Sequence, residues 1–170
     1  LVRSQHHHAH IVSVAAEHDI SPHENIIGIA LDGAGYGSDG QIWGGEVLIT
    51  NYEFFERKGH LEYIPMPGGD LCTYYPYRML ISALTTVTSN QNIRDITKNH
   101  IEDALPYGET ELEIILNQAK RDSILKTSSS GRFLDSIAAI IVLVYKRTYE
   151  GEPAMKLESI ATKGDPENIQ

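Results

Sequence analysis

Residues 26–46 read IIGIALDGAGYGSDGQIWGGE. The run from Ile26 to Leu31 is aliphatic and bounded by turn residues, the pattern of a buried strand. Asp32 stands where that strand should end, and Gly33, Gly35, Gly37 and Gly40 follow. Glycines this closely spaced free the backbone for positive φ and let N–H groups approach a ligand. A second strand, Ile42 to Thr50, returns the chain. Strand, glycine loop and strand, with an acid at the first strand's end, is a geometry suited to phosphate and metal. A plain glycine-rich hairpin turn uses the same residues. The spacing matches neither GxGxxG nor GxxxxGKS, so neither a dinucleotide fingerprint nor a P-loop is implied.

Upstream, residues 1–14 read LVRSQHHHAHIVSV. Ala9 interrupts the histidines and the pattern continues into apolar residues, which separates this stretch from an expression tag. Val12, Ala15 and Ala16 fit one face of a helix ending near Ser21-Pro22. On that helix His6 and His10 are i and i+4, with side chains about 6 Å apart on one side. This is the helical spacing for two ligands of one metal ion, and equally that of solvated or core histidines. His7 and His8 are expected to point elsewhere. His6, His10 and Asp32 together would make an open three-ligand site of the kind that suits Zn²⁺ or Fe²⁺ and leaves room for a substrate oxygen.

Downstream, Glu46 reads as a further acid near the site or, more simply, as a strand-edge charge. A third strand is expected over Glu53 to Ile64, then a sharp turn through Pro65 to Asp70. A helix follows over Tyr74 to Thr88, with Pro76 in its first turn and Met79, Leu80 and Leu84 inward. Cys72 has no nearby base and reads as a buried structural thiol. A short helix near Ile93 to His100 and an amphipathic helix over Glu109 to Arg121 come next. TSSSG (127–131) is a turn or helix entry. Arg132 to Tyr145 is the most apolar helix, with Phe133, Ile137, Ile140, Ile141 and Val144 expected in the core. Asp135 on that helix either caps its start or holds a ligand hydroxyl, and helix physics alone favours the cap. Residues 149–153 turn into a last helix, Ala154 to Ala161, and the tail from Thr162 to Gln170 is polar.

The chain has 170 residues, enough for one domain or a large piece of one. With 41% hydrophobic residues it can build a core. A net charge of −9 argues against extended contact with nucleic-acid phosphates and suits a small ligand or a protein partner. The single cysteine excludes an internal disulfide and fits a reducing, cytoplasmic compartment. No apolar run is long enough for a membrane helix.

Five motifs occur in order: QHHHAH (5–10), LDGAGYGSDGQIWGGE (31–46), GHL with PMPGGD and PYRM (59–79), SSSGRFLDSIAA (128–139) and YEGEPAMKLE (149–158). This order resembles the C-terminal, TsaD-like part of the HypF family, carbamoyltransferases of NiFe-hydrogenase maturation. The resemblance implies an α/β fold of the actin-like ATPase (ribonuclease H-like) superfamily, a mixed sheet with flanking helices, here incomplete. It implies transfer of a carbamoyl group from carbamoyl-adenylate, made with ATP in a separate YrdC-like domain, to the C-terminal cysteine of a HypE-like acceptor. That thiocarboxamide becomes a cyanide ligand of the hydrogenase iron.

Carried over by position, His6, His10 and Asp32 are ligands of a divalent metal, Fe or Zn. Gly33, Ala34 and Gly35 face phosphates, Asp135 contacts the ribose, and Gly151 approaches the nucleotide. The resemblance shifts the reading of Asp135 from cap to ligand contact. It also implies that residues 1–170 are part of a larger domain. A downstream glycine-rich segment with another metal ligand, and the upstream acylphosphatase-like, zinc-finger and YrdC-like domains, would lie outside it. Alone, the chain would turn over weakly or not at all. Two other readings stay open: an O-carbamoyltransferase or tRNA threonylcarbamoyl transferase of the same fold, and a non-catalytic nucleotide-binding module.

Overall fold

The structure is a computed structural model that describes residues 3–164; the end of the polar tail, from 165 on, lies outside the described residues. The chain divides into two compact units. One comprises residues up to 64 with 125–131, the other 65–124 with 132 onward.

The first unit opens with α1 (His6–Glu17), which ends before the Ser21-Pro22 turn expected to close it. Gln5 is its N-cap, its side-chain oxygen accepting the His8 N–H at 2.8 Å. Capping by a side-chain oxygen satisfies a backbone donor that the helix leaves unpaired. The helix ends in a left-handed residue, Asp19 (φ 55°), whose N–H bonds back to the Ala16 carbonyl. Two strands follow, β1 (Ile26–Tyr36) and β2 (Ile42–Thr50), paired antiparallel from Ile26↔Thr50 to Tyr36↔Ile42. On its other edge β2 meets β3 (Phe55–His60), antiparallel, and at Ile42 it meets Thr127 of β5 (Lys126–Thr127), parallel. The third strand is therefore shorter than the 53–64 expected, and a separate two-residue β4 (Ile64–Pro65) takes up its end.

Two expectations about β1 are corrected. The strand does not end at Asp32 but runs to Tyr36, with an irregular register between Leu31 and Gly35. Nor is it buried on both faces. Gly28 and Ala30 point inward, whereas Ile27, Ile29 and Leu31 are 73%, 68% and 72% exposed. The reason is position: β1 is the outer strand of its sheet, and α1 covers only one of its faces. Contact there is close, since a Cβ on Gly28 would lie 2.4 Å from Ile11. Ile11, Ala30, Trp43 and Leu48 form the core of this unit. A groove of about 620 Å³ runs along α1 and β1, lined by His7, His10, Ile11, Val14 and residues 26–32.

The second unit is helical: α2 (Leu71–Tyr74), α3 (Pro76–Val87), α4 (Asn90–Thr97), α5 (Ile101–Ala104), α6 (Gly108–Ala119), the body of α7 (Ser130–Ile140) and α8 (Glu152–Ala161). Its core joins Ile81 of α3 and Ile93 of α4 with Leu112, Ile115 and Leu116, the inward face that helical spacing marks on α6. Cys72 is buried as expected, its thiol pushed up to about 12 by burial.

The expectation for α7 is overturned. The helix stops at Ile140, not Tyr145, and its faces are reversed. Ser136, Ala138, Ala139 and the pair Arg132–Asp135 are buried, while Phe133, Ile137, Ile140 and Ile141 are 37–49% exposed. Of the core residues expected there, only Val144 is buried. Small side chains let this face pack closely, and the ion pair neutralises its charge. The stop is a Schellman turn: Leu143 N–H bonds to Ala138 O at 2.9 Å and Val142 N–H to Ala139 O at 3.1 Å. Val142 occupies the left-handed position at φ 62°, where glycine is usual and a β-branched residue is strained. Among the described residues, no helix is long and apolar enough to cross a membrane.

Candidate metal centre

Asp32 lies inside the irregular part of β1, which turns its carboxylate toward the first turn of α1. Its Oδ2 is 2.8 Å from His6 Nε2 and 3.9 Å from His10 Nε2, and the two imidazole nitrogens are 3.2 Å apart. The backbone N–H of Gly33 donates to Asp32 Oδ1 at 2.6 Å. Burial works against charge on Asp32, but the His6 contact and the Gly33 N–H outweigh it and hold the carboxyl below its ordinary range. It is therefore an anion at neutral pH.

These contacts suit a cation better than they suit each other. His6 Nε2 carries either one proton or one lone pair, yet it faces both a carboxylate oxygen and a second imidazole nitrogen. A divalent ion among the three would be met by every one of them. Two imidazoles and a carboxylate suit a borderline ion such as Zn²⁺ or Fe²⁺.

One expectation fails here. His7 does not point away. Its ring is fully buried, stacked on Trp43, with Nε2 3.7 Å from Asp32 Oδ2. Ligand atoms of His6, His7 and Asp32 lie within 4.8 Å of one another, so His7 competes geometrically with His10 for a place in the site. Burial, then the neighbouring His6, push the His7 pKa down. Helix spacing missed His7 because Asp32 and Gly35 of β1 lie against two consecutive residues of α1. His8 does point elsewhere, toward the Asn51 carbonyl at 2.8 Å.

Of the loop glycines, Gly40 takes the expected positive φ, at 78°, and the others serve the geometry differently. Gly33, Gly35 and Gly37 are not among the residues with positive φ. Gly35 is required by proximity: a Cβ there would lie 2.5 Å from His7 Cε1 and 2.6 Å from His6 Cδ2. Ala34 between them is exposed. The turn itself is held by Asp39, which accepts from Gln41 N–H, Trp43 Nε1 and the Tyr63 hydroxyl.

Glu46 is not a strand-edge charge: it is fully buried, and its charge acts on His7 of the cluster. Its oxygens accept from the N–H groups of Gly44 and Gly45, from Ser128 Oγ, and from Arg57 Nε at 2.6 Å. Arg57 in turn lies 4.1 Å over the Trp43 ring and donates to Tyr63.

The TSSSG stretch proves to be a support for the site. Ser129 Oγ lies 2.7 Å from the carbonyl oxygens of both Asp32 and Gly33, Ser130 Oγ donates to Gly44 O, and Gly131 packs on Gly33. Small hydroxylic residues before a helix read as a cap, so their role here was not visible in the sequence.

Asp135 and Gly151 belong to the second unit. Asp135 is buried, 3.0 Å from Arg132 Nη2, and burial raises its pKa to about 6 against the pull of Arg132 and Arg147. Gly151 precedes α8 at φ 76°, a left-handed conformation that favours glycine, and a Cβ there would touch nothing within 4 Å.

The fold thus sets a helix bearing HxxxH against an irregular strand that carries Asp32 and runs on into a glycine hairpin. Residues 28–170 match the family model for the Carbamoyltransferase, Kae1-like Domain, second subdomain, and the chain belongs to that family. Its relatives there are HypF proteins. It is 39% identical over 97% of its length to the probable carbamoyltransferase HypF of Methanocaldococcus jannaschii, and 34% identical over 91% to the carbamoyltransferase HypF of Synechocystis. It superposes on the crystal structure of T. kodakarensis HypF with a TM-score of 0.85 and 48% identity over 98% of the chain. For the crystal structure of full-length HypF in the phosphate- and nucleotide-bound form the values are 0.80, 41% and 94%. The chain spans about a fifth of each of these proteins. Its mixed sheet with flanking helices is the Kae1-like form of the actin-like ATPase fold.

Proposed function

We propose that this chain is the part of a HypF carbamoyltransferase that holds a divalent metal on His6, His10 and Asp32. Its task is the transfer of a carbamoyl group from carbamoyl-adenylate to the C-terminal cysteine of a HypE-like acceptor, in the synthesis of the hydrogenase cyanide ligands. The observation that carries this reading is the convergence of two imidazole nitrogens and one carboxylate oxygen within 3.9 Å, in a chain of the HypF family.

When bound, the metal would supply Lewis acidity at the carbamoyl oxygen. In the transfer, the acceptor's thiolate sulfur bonds to the carbamoyl carbon. The bond from that carbon to the phosphate oxygen breaks, and AMP leaves with the electron pair. No side chain of this chain need act as nucleophile. Asp32 is kept anionic by His6 and by the Gly33 N–H, and Ser129 fixes the backbone carbonyls on either side of that N–H. In this reading Gly33, Ala34 and Gly35 run beside the phosphate, Gly33 with its N–H already committed to Asp32. Asp135 and Gly151 are contacts of the nucleotide.

The test is carbamoylation of a HypE-like acceptor by the full-length enzyme in which these residues occur, followed by mass spectrometry. With carbamoyl phosphate and ATP, the acceptor should gain one carbamoyl mass on its terminal cysteine, and His10→Ala should abolish the gain. Unchanged acceptor carbamoylation by His10→Ala would contradict the reading.

A further inference from the structure

Three imidazoles crowd the Asp32 carboxylate, and two alternative triads, one with His7 and one with His10, are geometrically open. The hydrogen bonds of Gln5 decide between them. Its Oε1 accepts the His8 N–H at 2.8 Å, which requires oxygen at that end of the amide. Its Nε2 lies 3.1 Å from the Tyr36 carbonyl, which requires a donor at the other end. The amide is thus oriented twice over, by one backbone donor and one backbone acceptor. The same Nε2 is 3.2 Å from His7 Nδ1. Since Nε2 only donates, Nδ1 must accept, and a ring accepting at Nδ1 carries its proton on Nε2. That Nε2 is buried, has no hydrogen-bond partner, and faces Asp32 Oδ2 from 3.7 Å.

We infer that His7 is a positioning residue rather than a ligand. Gln5 locks its tautomer, and its Nε2–H directs the Asp32 carboxylate toward His6 and His10. A protonated nitrogen has no lone pair for a metal, so the metal set is His6, His10 and Asp32, with His7 behind the carboxylate. Donors aimed at a ligating group from outside the metal orient it and tune its affinity. Gly35 is part of the device, because any side chain there would displace the His7 ring. The inference rests on the metal reading for its purpose, but the tautomer can be read without metal.

The first measurement is heteronuclear NMR of the imidazole nitrogens in the metal-free chain, with Gln5→Glu for comparison. His7 should be protonated on Nε2 in the parent. In Gln5→Glu the carboxylate should accept from Nδ1 and move the proton there. The second is titration with Zn²⁺ alone. His7→Phe keeps an aromatic ring on Trp43 but has no donor, and should bind about 10- to 100-fold more weakly. His7→Gln puts an N–H near the same place and should stay close to the parent. An Nδ1-protonated His7 in the parent would overturn the assignment. So would parent-like binding by His7→Phe, or equal and complete loss in both variants, the mark of a true ligand. An Nε2-protonated His7 in a parent that binds no Zn²⁺ would uphold the tautomer lock and defeat the metal reading. Should His7→Phe fail to fold, the Gln5→Glu comparison still decides.

Discussion

Glu46→Ala is expected to cost the first unit roughly 3–5 kcal/mol, enough to unfold a domain of ordinary stability. The carboxylate is fully buried and makes four contacts: the N–H groups of Gly44 and Gly45, Ser128 Oγ and Arg57 Nε. Its loss removes the closer of the two carboxylates that pair with Arg57, whose side chain is only 16% exposed, and leaves two backbone donors without their acceptor. Because those donors belong to the backbone, replacing Arg57 as well cannot restore the loss. Urea unfolding of Glu46→Ala and Arg57→Met/Glu46→Ala should show both strongly destabilised. A double variant close to the parent would show that the pair, not the backbone contacts, dominates. Burial opposes the charge of Glu46, and the Arg57, Ser128, Gly44 and Gly45 contacts overcome it, so the folded pKa lies below the ordinary value of 4.5. The stabilisation is then present above that ordinary value and disappears as pH falls through the folded pKa. Glu46→Gln should lack that part of the acid limb, while the part due to Asp32 and Asp39, whose pKa values are also lowered, remains.

In the second unit the corresponding loss is Arg78→Met, also expected at about 3–5 kcal/mol. Arg78 and Glu111 are 4% exposed each and pair directly. Arg78 Nη2 also donates to the Pro67 carbonyl at 2.9 Å, and Glu111 Oε2 accepts from Tyr107 N–H at 3.2 Å. Here the charged partners are both side chains, so the double variant Arg78→Met/Glu111→Met should recover part of the loss. What remains is the cost of the unpaired Tyr107 N–H and of a Pro67 carbonyl left with the Cys72 thiol alone. A chemical denaturation series of the two single variants and the double one measures this. Additive losses would contradict the pairing argument.

The sequence made the sheet hairpin, the HxxxH helix and the inward faces of α3 and α6 legible because each obeys one periodicity. Met79 and Leu80 on α3, and Leu112, Ile115 and Leu116 on α6, stand on helical spacing and are buried. His6, His10 and Asp32 were equally readable, and the structure brings them together. What failed was governed by tertiary context. The apolar run 26–31 looks the same whether one face or two are covered. The reversal of α7 rests on Ala138, Ala139 and a buried Arg132–Asp135 pair, which no hydrophobic count rewards. Its early stop places Val142 where a glycine would have announced it. His7 and Gln5 were missed because their roles come from contacts between β1 and the start of α1, not from spacing along either.

The central claim is the metal centre, and its most direct test is the metal content of tag-free protein by elemental analysis. The parent should be compared with His6→Ala/His10→Ala, each as purified and after incubation with Zn²⁺ or Fe²⁺ followed by desalting. The parent should hold a stoichiometric divalent ion that the double variant fails to retain. Equal metal in both proteins, or none held by the parent after incubation, would contradict it.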